Sequence, residues 1–260
     1  MNSIDQIATL NNQGCDELDA GNLNGATVLF KTALLFLRDY LTVYNRIHNT
    51  VDRRPPSTLH LSPLSLRMLS KSASRPAAYA ARTAQNRISP IHSDAIRLIP
   101  GFCFSNDFTE NHTIYSAFVI FNLAIVFHVQ GLQTCSKRSL EQARSLYSHI
   151  MQLIGSTINE NFKRVFSEEN AAFDLLVLGL FNNVAHMHME FSEFESATTT
   201  FQNLVRYASL SSSFSRSDEE GRYQRRESLE GDSIVLANVE KMVLYASVVG
   251  LTSNSVAPAA

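Results

Sequence analysis

The sequence lacks the short motifs that mark the commonest enzyme chemistries. It has no Gly-rich dinucleotide- or phosphate-binding loop, no Gly-x-Ser-x-Gly nucleophile turn and no His-Glu-x-x-His zinc motif. Its three cysteines are far apart and form no Cys-x-x-Cys pair, which favours free, buried thiols in a reducing compartment. We therefore expect a protein without catalytic residues, cofactor or bound metal.

Positive charge is missing from a large part of the chain. Residues 165–205 contain six carboxylates but no Lys or Arg, whereas residues 51–93 contain seven Lys and Arg against Asp52 alone. The net charge of -2 over 260 residues excludes a strong general attraction to nucleic acid or to anionic membranes. Any such attraction would have to come from the basic residues of 51–93.

The sequence also lacks a recognisable targeting segment. The first ten residues carry Asp5 and no basic residue, unlike a secretory signal or a transit peptide. The most apolar run, residues 115–129, is shorter than a bilayer-spanning helix and contains Asn122 and His128. We expect a soluble, cytoplasmic protein.

Helical periodicity, where it is present, divides the chain into three helical hairpins. They are predicted at about residues 4–47, 113–153 and 168–208, within a single domain of residues 1–250. The rest is predicted as a basic, Pro- and Ser-rich, largely disordered insert (49–100), a flexible segment (211–232), a C-terminal capping segment of helix or strand (233–249) and a tail (251–260).

Capping residues and breaks in periodicity predict the ends of several elements. The helix starts are marked by Asn24, by Ser139 with Gln142, and by Ser192 with Glu195. A loop is predicted at 131–137 and a linker at 155–163. Within the insert, a short helix or strand is expected near residues 77–98, with 91–99 as the candidate strand.

Small and aromatic residues recur at one spacing in the three hairpins. In the first hairpin, Gly14 is followed by Ala26, Phe30 and Ala33. The same positions are filled by Ala124, Ala143 and Tyr147 in the second hairpin, and by Ala185, Ala197 and Phe201 in the third. The second hairpin fits only if seven extra residues lie in its turn. Recurring hairpins of this kind indicate a helical-repeat scaffold.

This spacing resembles that of tetratricopeptide repeats (TPR). The resemblance implies an all-α fold in which the hairpins stack as an α-α superhelix, a TPR-like array interrupted by the insert. An unrelated helical bundle shows similar spacings and is the alternative architecture. The resemblance further implies a non-catalytic scaffold or adaptor for protein–protein interaction.

The register of the family places a partner-binding groove on the first helix of each hairpin. The positions that the resemblance assigns to the groove are Asn11, Cys15, Leu18, His128, Asn182, His186 and Met189. Phe121 and Ile125 share the register, but buried core is the interpretation that we favour for them. Because these helices lack Lys and Arg, a clamp for a C-terminal carboxylate is not expected. A neutral to acidic groove favours an apolar, polar or basic peptide.

Other hypotheses remain for this chain. An enzyme or small-ligand protein would have a pocket between hairpins, near His128, Asn182 and His186. The basic insert could bind nucleic acid or membrane, or could fold over the acidic third hairpin and compete with a partner. Ser217 and Ser228 match kinase motifs and are possible phosphorylation sites.

Overall fold

The structure is a computed structural model that describes residues 3–48, 91, 93, 95–98, 108–161 and 171–210. These ranges contain six helices and no strand: α1 (Ser3–Asp19), α2 (Leu23–His48), α3 (Phe108–Thr134), α4 (Lys137–Asn161), α5 (Ala171–Glu190) and α6 (Phe194–Leu210). The all-α prediction is confirmed for this part of the chain. The predicted segments at 211–232, 233–249 and 251–260, most of the insert, and Ser217 and Ser228 lie outside the described residues.

Contacts divide the chain into two compact units. The first unit comprises Met1–Leu69 and Asp94–Ala172, and the second comprises Ser70–Ser93 and Phe173–Ala260. The first therefore holds α1 to α4, and the second holds α6 and nearly all of α5.

In the first unit each helix packs against the next along the chain, α1 on α2, α2 on α3 and α3 on α4. Gly14 of α1 lies directly on the ring of Phe30 in α2, so close that a Cβ at Gly14 would come within 2.6 Å of it. Ala26, Ala33, Ala124, Ala143 and Tyr147 are all buried around these contacts.

Helix α3 is apolar on every side because it is the central helix of this unit. Its residues from Ile114 to Val126 are buried, apart from the partly exposed Ser116. The expectation that it is too short for a membrane was wrong, since His112–Thr134 is long and apolar enough to span one. Most of that stretch is buried inside the protein, as it would be in a core helix.

The three hairpin turns are built alike. The residues after α1, α3 and α5 that adopt positive φ are Gly21, Cys135 and Ser192. The next N–H bonds back five residues in each case, Asn22 to Glu17, Ser136 to Gly131 and Glu193 to His188, which is a Schellman motif. The residue that makes this bond directly precedes the first residue of the following helix.

These turns correct the predicted caps. Asn22, not Asn24, caps α2 by accepting the Gly25 N–H at 3.1 Å. Ser136, not Ser139, caps α4 by accepting the Ser139 N–H at 3.3 Å, and Ser192 ends α5 rather than beginning α6. In each case the next helix begins two residues after the positive-φ residue of the Schellman turn.

The extra length of the second hairpin is helix, not turn. Cys135 follows Ala124 by four residues more than Gly21 follows Gly14, and Ala143 follows Cys135 by three more than Ala26 follows Gly21. About one turn is thus added to each helix, which keeps the small residues face to face. The predicted loop at 131–137 is helical to Thr134, and the linker at 155–163 is helical to Asn161.

In the second unit α5 and α6 form a hairpin, and the rings of Phe181 in α5 and Tyr207 in α6 have centroids 6.3 Å apart. Ala185, Ala197 and Phe201 are buried. At the turn, His188 Nδ1 lies 2.6 Å from Glu193 Oε2.

The thiols are not alike. Cys15 is free and buried, as predicted, but Cys135 is free and exposed because it occupies a hairpin turn. Cys103 lies outside the described residues.

Candidate functional site

Two stripes of polar residues run along one side of α1. Asn11 and Cys15 stand one helical turn apart, and Asn12, Asp16 and Asp19 form a neighbouring stripe at intervals of four and three residues. Both stripes contact the chain segment 95–98, which lies against α1 and α3 without regular secondary structure.

Asn122 of α3 pairs with the main chain of Ile96 through both ends of its amide. Its Oδ1 accepts the Ile96 N–H at 2.8 Å, and its Nδ2 donates to the Ile96 carbonyl at 2.8 Å. Nδ2 also donates to Asn11 Oδ1 at 2.9 Å, and Asn11 Nδ2 donates to the same Ile96 carbonyl at 3.0 Å. Since Asn11, Ile96 and Asn122 are fully buried, these bonds replace water that the groups lose on folding.

Asn12 makes the same kind of pair two residues further along the segment. Its Oδ1 accepts the Leu98 N–H at 2.8 Å, and its Nδ2 donates to the Leu98 carbonyl at 2.6 Å. Ile96 and Leu98 thus present both main-chain polar groups to an asparagine amide.

The pairing defines the conformation of the segment. The N–H and C=O of one residue point in the same direction when the chain is extended, as in an antiparallel ladder. Segment 95–98 is therefore an extended chain whose hydrogen-bond partners are side-chain amides instead of a second strand. For this reason the strand predicted at 91–99 is absent from its described residues.

Arg97 connects the segment to the acidic stripe of α1. One terminal guanidinium nitrogen donates to Asp16 Oδ1 and the other to Asp19 Oδ2, each at 2.7 Å. The first also lies 3.4 Å from the Asn12 carbonyl. Although burial lowers the pKa of Arg97, the hydrogen bonds to Asp16 and Asp19 and the charge of Asp16 outweigh it and raise that pKa. Arg97 belongs to the basic insert, so residues 95–98 at the end of that insert contact the first hairpin.

Cys15 lies beneath the segment as a neutral thiol. Its Sγ is 3.7 Å from the Ile96 carbonyl, and Asn122 Nδ2 points at it from 3.7 Å. Burial, opposed by the charge of Arg97, raises the pKa of Cys15 to about 12. The thiol therefore acts as a small, weakly polar filler in this site.

Two further predicted groove residues lie in the first unit. Leu18 is half-buried, and His128 is fully buried with its Nδ1 3.3 Å from the Tyr147 hydroxyl. Phe121 and Ile125 are fully buried. The structure brings Asn11 and Cys15 together at segment 95–98; His128 instead contacts Tyr147.

The remaining predicted residues lie in the second unit. Asn182 is buried and donates to Asn183 Oδ1 at 3.0 Å, and Met189 is half-buried. His186 is also buried, with Nε2 3.8 Å from Glu190 Oε1. Within the described residues, no three His, Cys, Asp or Glu side chains are placed to hold a metal ion.

Sequence reasoning missed Asn12 and Asn122, which hold most of the main-chain bonds. A signal for them exists, because an asparagine stands two positions before the small residue of each hairpin. The three are Asn12 before Gly14, Asn122 before Ala124 and Asn183 before Ala185. The contributions of Arg97, Asp16 and Asp19 have no such signal, since their meeting depends on the path of the insert.

Comparison of the chain with protein-family models, curated proteins and solved structures finds no match. The function is therefore inferred from the geometry of this site.

Proposed function

We propose that the chain is a non-catalytic scaffold or adaptor with TPR-like hairpins, and that it binds an extended peptide of a partner protein between α1 and α3. The proposal includes a cytoplasmic location, with α3 as a core helix. The proposal rests on two pairings: the side-chain amide of Asn122 bonds to the main chain of Ile96, and that of Asn12 bonds to the main chain of Leu98. Neither pairing uses a side-chain atom of Ile96 or Leu98.

Main-chain pairing is suited to binding peptides. Every extended peptide presents an N–H and a C=O on the same side at alternate residues, whatever its side chains. Two asparagine amides at the matching separation therefore form a template that a separate chain can occupy. Each bond contributes about 0.5–1.5 kcal/mol net, so four of them supply a useful part of a peptide affinity.

The repeated construction of the hairpins supports the scaffold part of the proposal. All three turns share the Schellman geometry, and the longer second hairpin keeps its small residues in register by adding about one turn to each helix. Repeats of one hairpin unit are typical of scaffolds that bind other proteins.

A selection from random linear peptides displayed on phage tests the proposal. Peptides enriched on the wild-type chain should bind the Asn12→Ala variant at least about tenfold more weakly, because two main-chain bonds are lost. The matched control is Asn24→Ala, an exposed asparagine at the start of α2 that should leave binding unchanged. Equal binding to both variants, or no enriched peptide, would contradict the proposal.

A scan of single N-methylated peptide bonds in the best peptide tests the mode of binding. Methylation removes one N–H at a time. At two positions of the peptide, i and i+2, methylation should therefore weaken binding about tenfold. The position between them should tolerate the methyl group. A scan with no alternation would show that the peptide is not held by paired amides.

A further inference from the structure

Resting on the proposed peptide-binding function, we infer that the partner peptide carries an aliphatic–arginine–aliphatic pattern, for which the chain's own Ile96, Arg97 and Leu98 are an internal competitor. The main-chain bonds carry no information about sequence. Selectivity must therefore come from the three side chains of the bound segment and the groups that they meet.

The two aliphatic positions are defined by burial. Ile96 and Leu98 are each 1 % exposed, and the Ile96 carbonyl lies against the buried Asn11 and Cys15. A polar side chain at either position would be removed from water, which costs free energy unless a hydrogen bond replaces the water. A small side chain would leave a cavity.

The central position is defined by charge. Asp16 and Asp19 stand one turn apart and each receives a separate nitrogen of the Arg97 guanidinium. A planar fork of donors can bond two carboxylates at once, whereas a lysine ammonium is a single point charge. The site therefore favours arginine over lysine and rejects an acidic residue.

The internal segment is placed to be exchanged. It is bound through side-chain amides and ion pairs, and every one of these contacts can be made by a peptide from another chain. Asp16 retains 67 % of its side-chain exposure and Arg97 retains 23 %, so the ion pairs lie at the accessible edge. Because the segment is part of the same chain, a partner competes against a high effective concentration.

The test uses a fluorescent peptide with the sequence of residues 93–99, titrated with the full-length chain and followed by anisotropy. The Arg97→Glu variant weakens the internal copy, so it should bind this peptide at least about tenfold more tightly than wild type does. Arg38→Glu is the matched control, since it makes the same change of charge at an exposed site on α2 and should behave as wild type. A peptide with Glu at the central position should bind neither chain. Equal affinity of wild type and Arg97→Glu, or binding of the Glu peptide, would overturn the inference.

A charge-exchange variant distinguishes a specific change in binding from misfolding, because it is expected to gain binding of a different peptide. The Asp16→Lys/Asp19→Lys variant should lose the Arg peptide and bind the Glu peptide instead.

Alkylation of Cys15 by iodoacetamide, measured by peptide mass mapping, gives an independent readout. It should be faster in Arg97→Glu than in wild type, because the thiol lies under the displaced segment. Unchanged alkylation together with failure of the charge exchange would overturn the inference.

The outcomes separate this inference from the proposed function. If displayed peptides bind through Asn12 but lack the aliphatic–arginine–aliphatic pattern, the function stands and the inference fails. If no peptide binds, both fail. If wild type is a dimer in solution and Arg97→Glu is a monomer, the segment belongs to a second copy of the chain and the internal competition is overturned.

Discussion

Asn122 of α3 donates a hydrogen bond from Nδ2 to Oδ1 of Asn11 in α1 at 2.9 Å, although 111 positions separate the two residues. The same two amides share the carbonyl of Ile96. Two helices and the extended segment are thus joined by one buried polar network. Such a network stabilises a fold only when all its members are satisfied.

Replacing Asn122 by Ala should destabilise the first unit. The Ile96 N–H and Asn11 Oδ1 lose their bonds to Asn122, and each buried group left unsatisfied costs about 1–3 kcal/mol. We expect the free energy of unfolding to fall by at least about 2 kcal/mol in urea denaturation followed by circular dichroism. Asn203→Ala, at an exposed position of α6, should change it by less than about 0.5 kcal/mol. Similar effects of the two substitutions would contradict the network.

Adding a methyl group at Gly14 should have the opposite effect to adding one at Gly155. A Cβ at Gly14 would meet the Phe30 ring at 2.6 Å, so Gly14→Ala should cost about 1–3 kcal/mol of unfolding free energy. Gly155 lies within α4 with nothing inside 4 Å of an added Cβ, so Gly155→Ala should add about 0.5–1 kcal/mol. Urea denaturation measures both.

The double variant Gly14→Ala/Phe30→Leu identifies the cause at Gly14. A smaller side chain at position 30 relieves the clash, so the double variant should be destabilised by less than the sum of the two single changes. Strict additivity would show that Gly14 and Phe30 do not press on each other.

His112 should make stability depend on pH. Its Nε2–H donates to the Leu37 carbonyl at 3.0 Å, and burial lowers its pKa although this bond opposes the shift. A lowered folded pKa means that the unfolded chain takes up the proton first, so stability is complete above about pH 6.5 and falls as the pH drops below it. The urea midpoint should therefore fall less between pH 7.5 and pH 5.5 in His112→Gln than in wild type. An identical pH dependence would exclude His112 as a contributor.

Ser192→Gly should stabilise the second unit. Ser192 has a φ of 60°, a left-handed conformation that glycine adopts without strain, so a gain of about 0.5–1 kcal/mol is expected. If Ser192 were instead a helix cap, as its sequence context suggests, the substitution would give no gain. Ser196→Gly, in the first turn of α6, should cost about as much as Ser192→Gly gains. Thermal unfolding of the two variants decides between these roles.

The hairpins could be predicted because their signals are local. The spacing of Gly14, Ala26 and Phe30 lies within one hairpin, and the contact of Gly14 with Phe30 follows from it. The caps predicted at Asn24, Ser139 and Ser192 are wrong. Each following helix begins after a Schellman turn, and the backbone conformation of that turn is not visible in a capping motif. In the site, family register pointed to Asn11 and Cys15, but it missed Asn12 and Asn122.

The sequence by itself determined the helical hairpins, because helix period and the facing of small on aromatic residues are properties of neighbouring turns. Only the tertiary structure decided what occupies the polar face of α1. An asparagine amide can pair with water, with another side chain or with any main chain, so its identity does not name its partner. Ile96, Arg97 and Leu98 meet Asn122, Asp16 and Asn12 because folding brings three distant parts of the chain together.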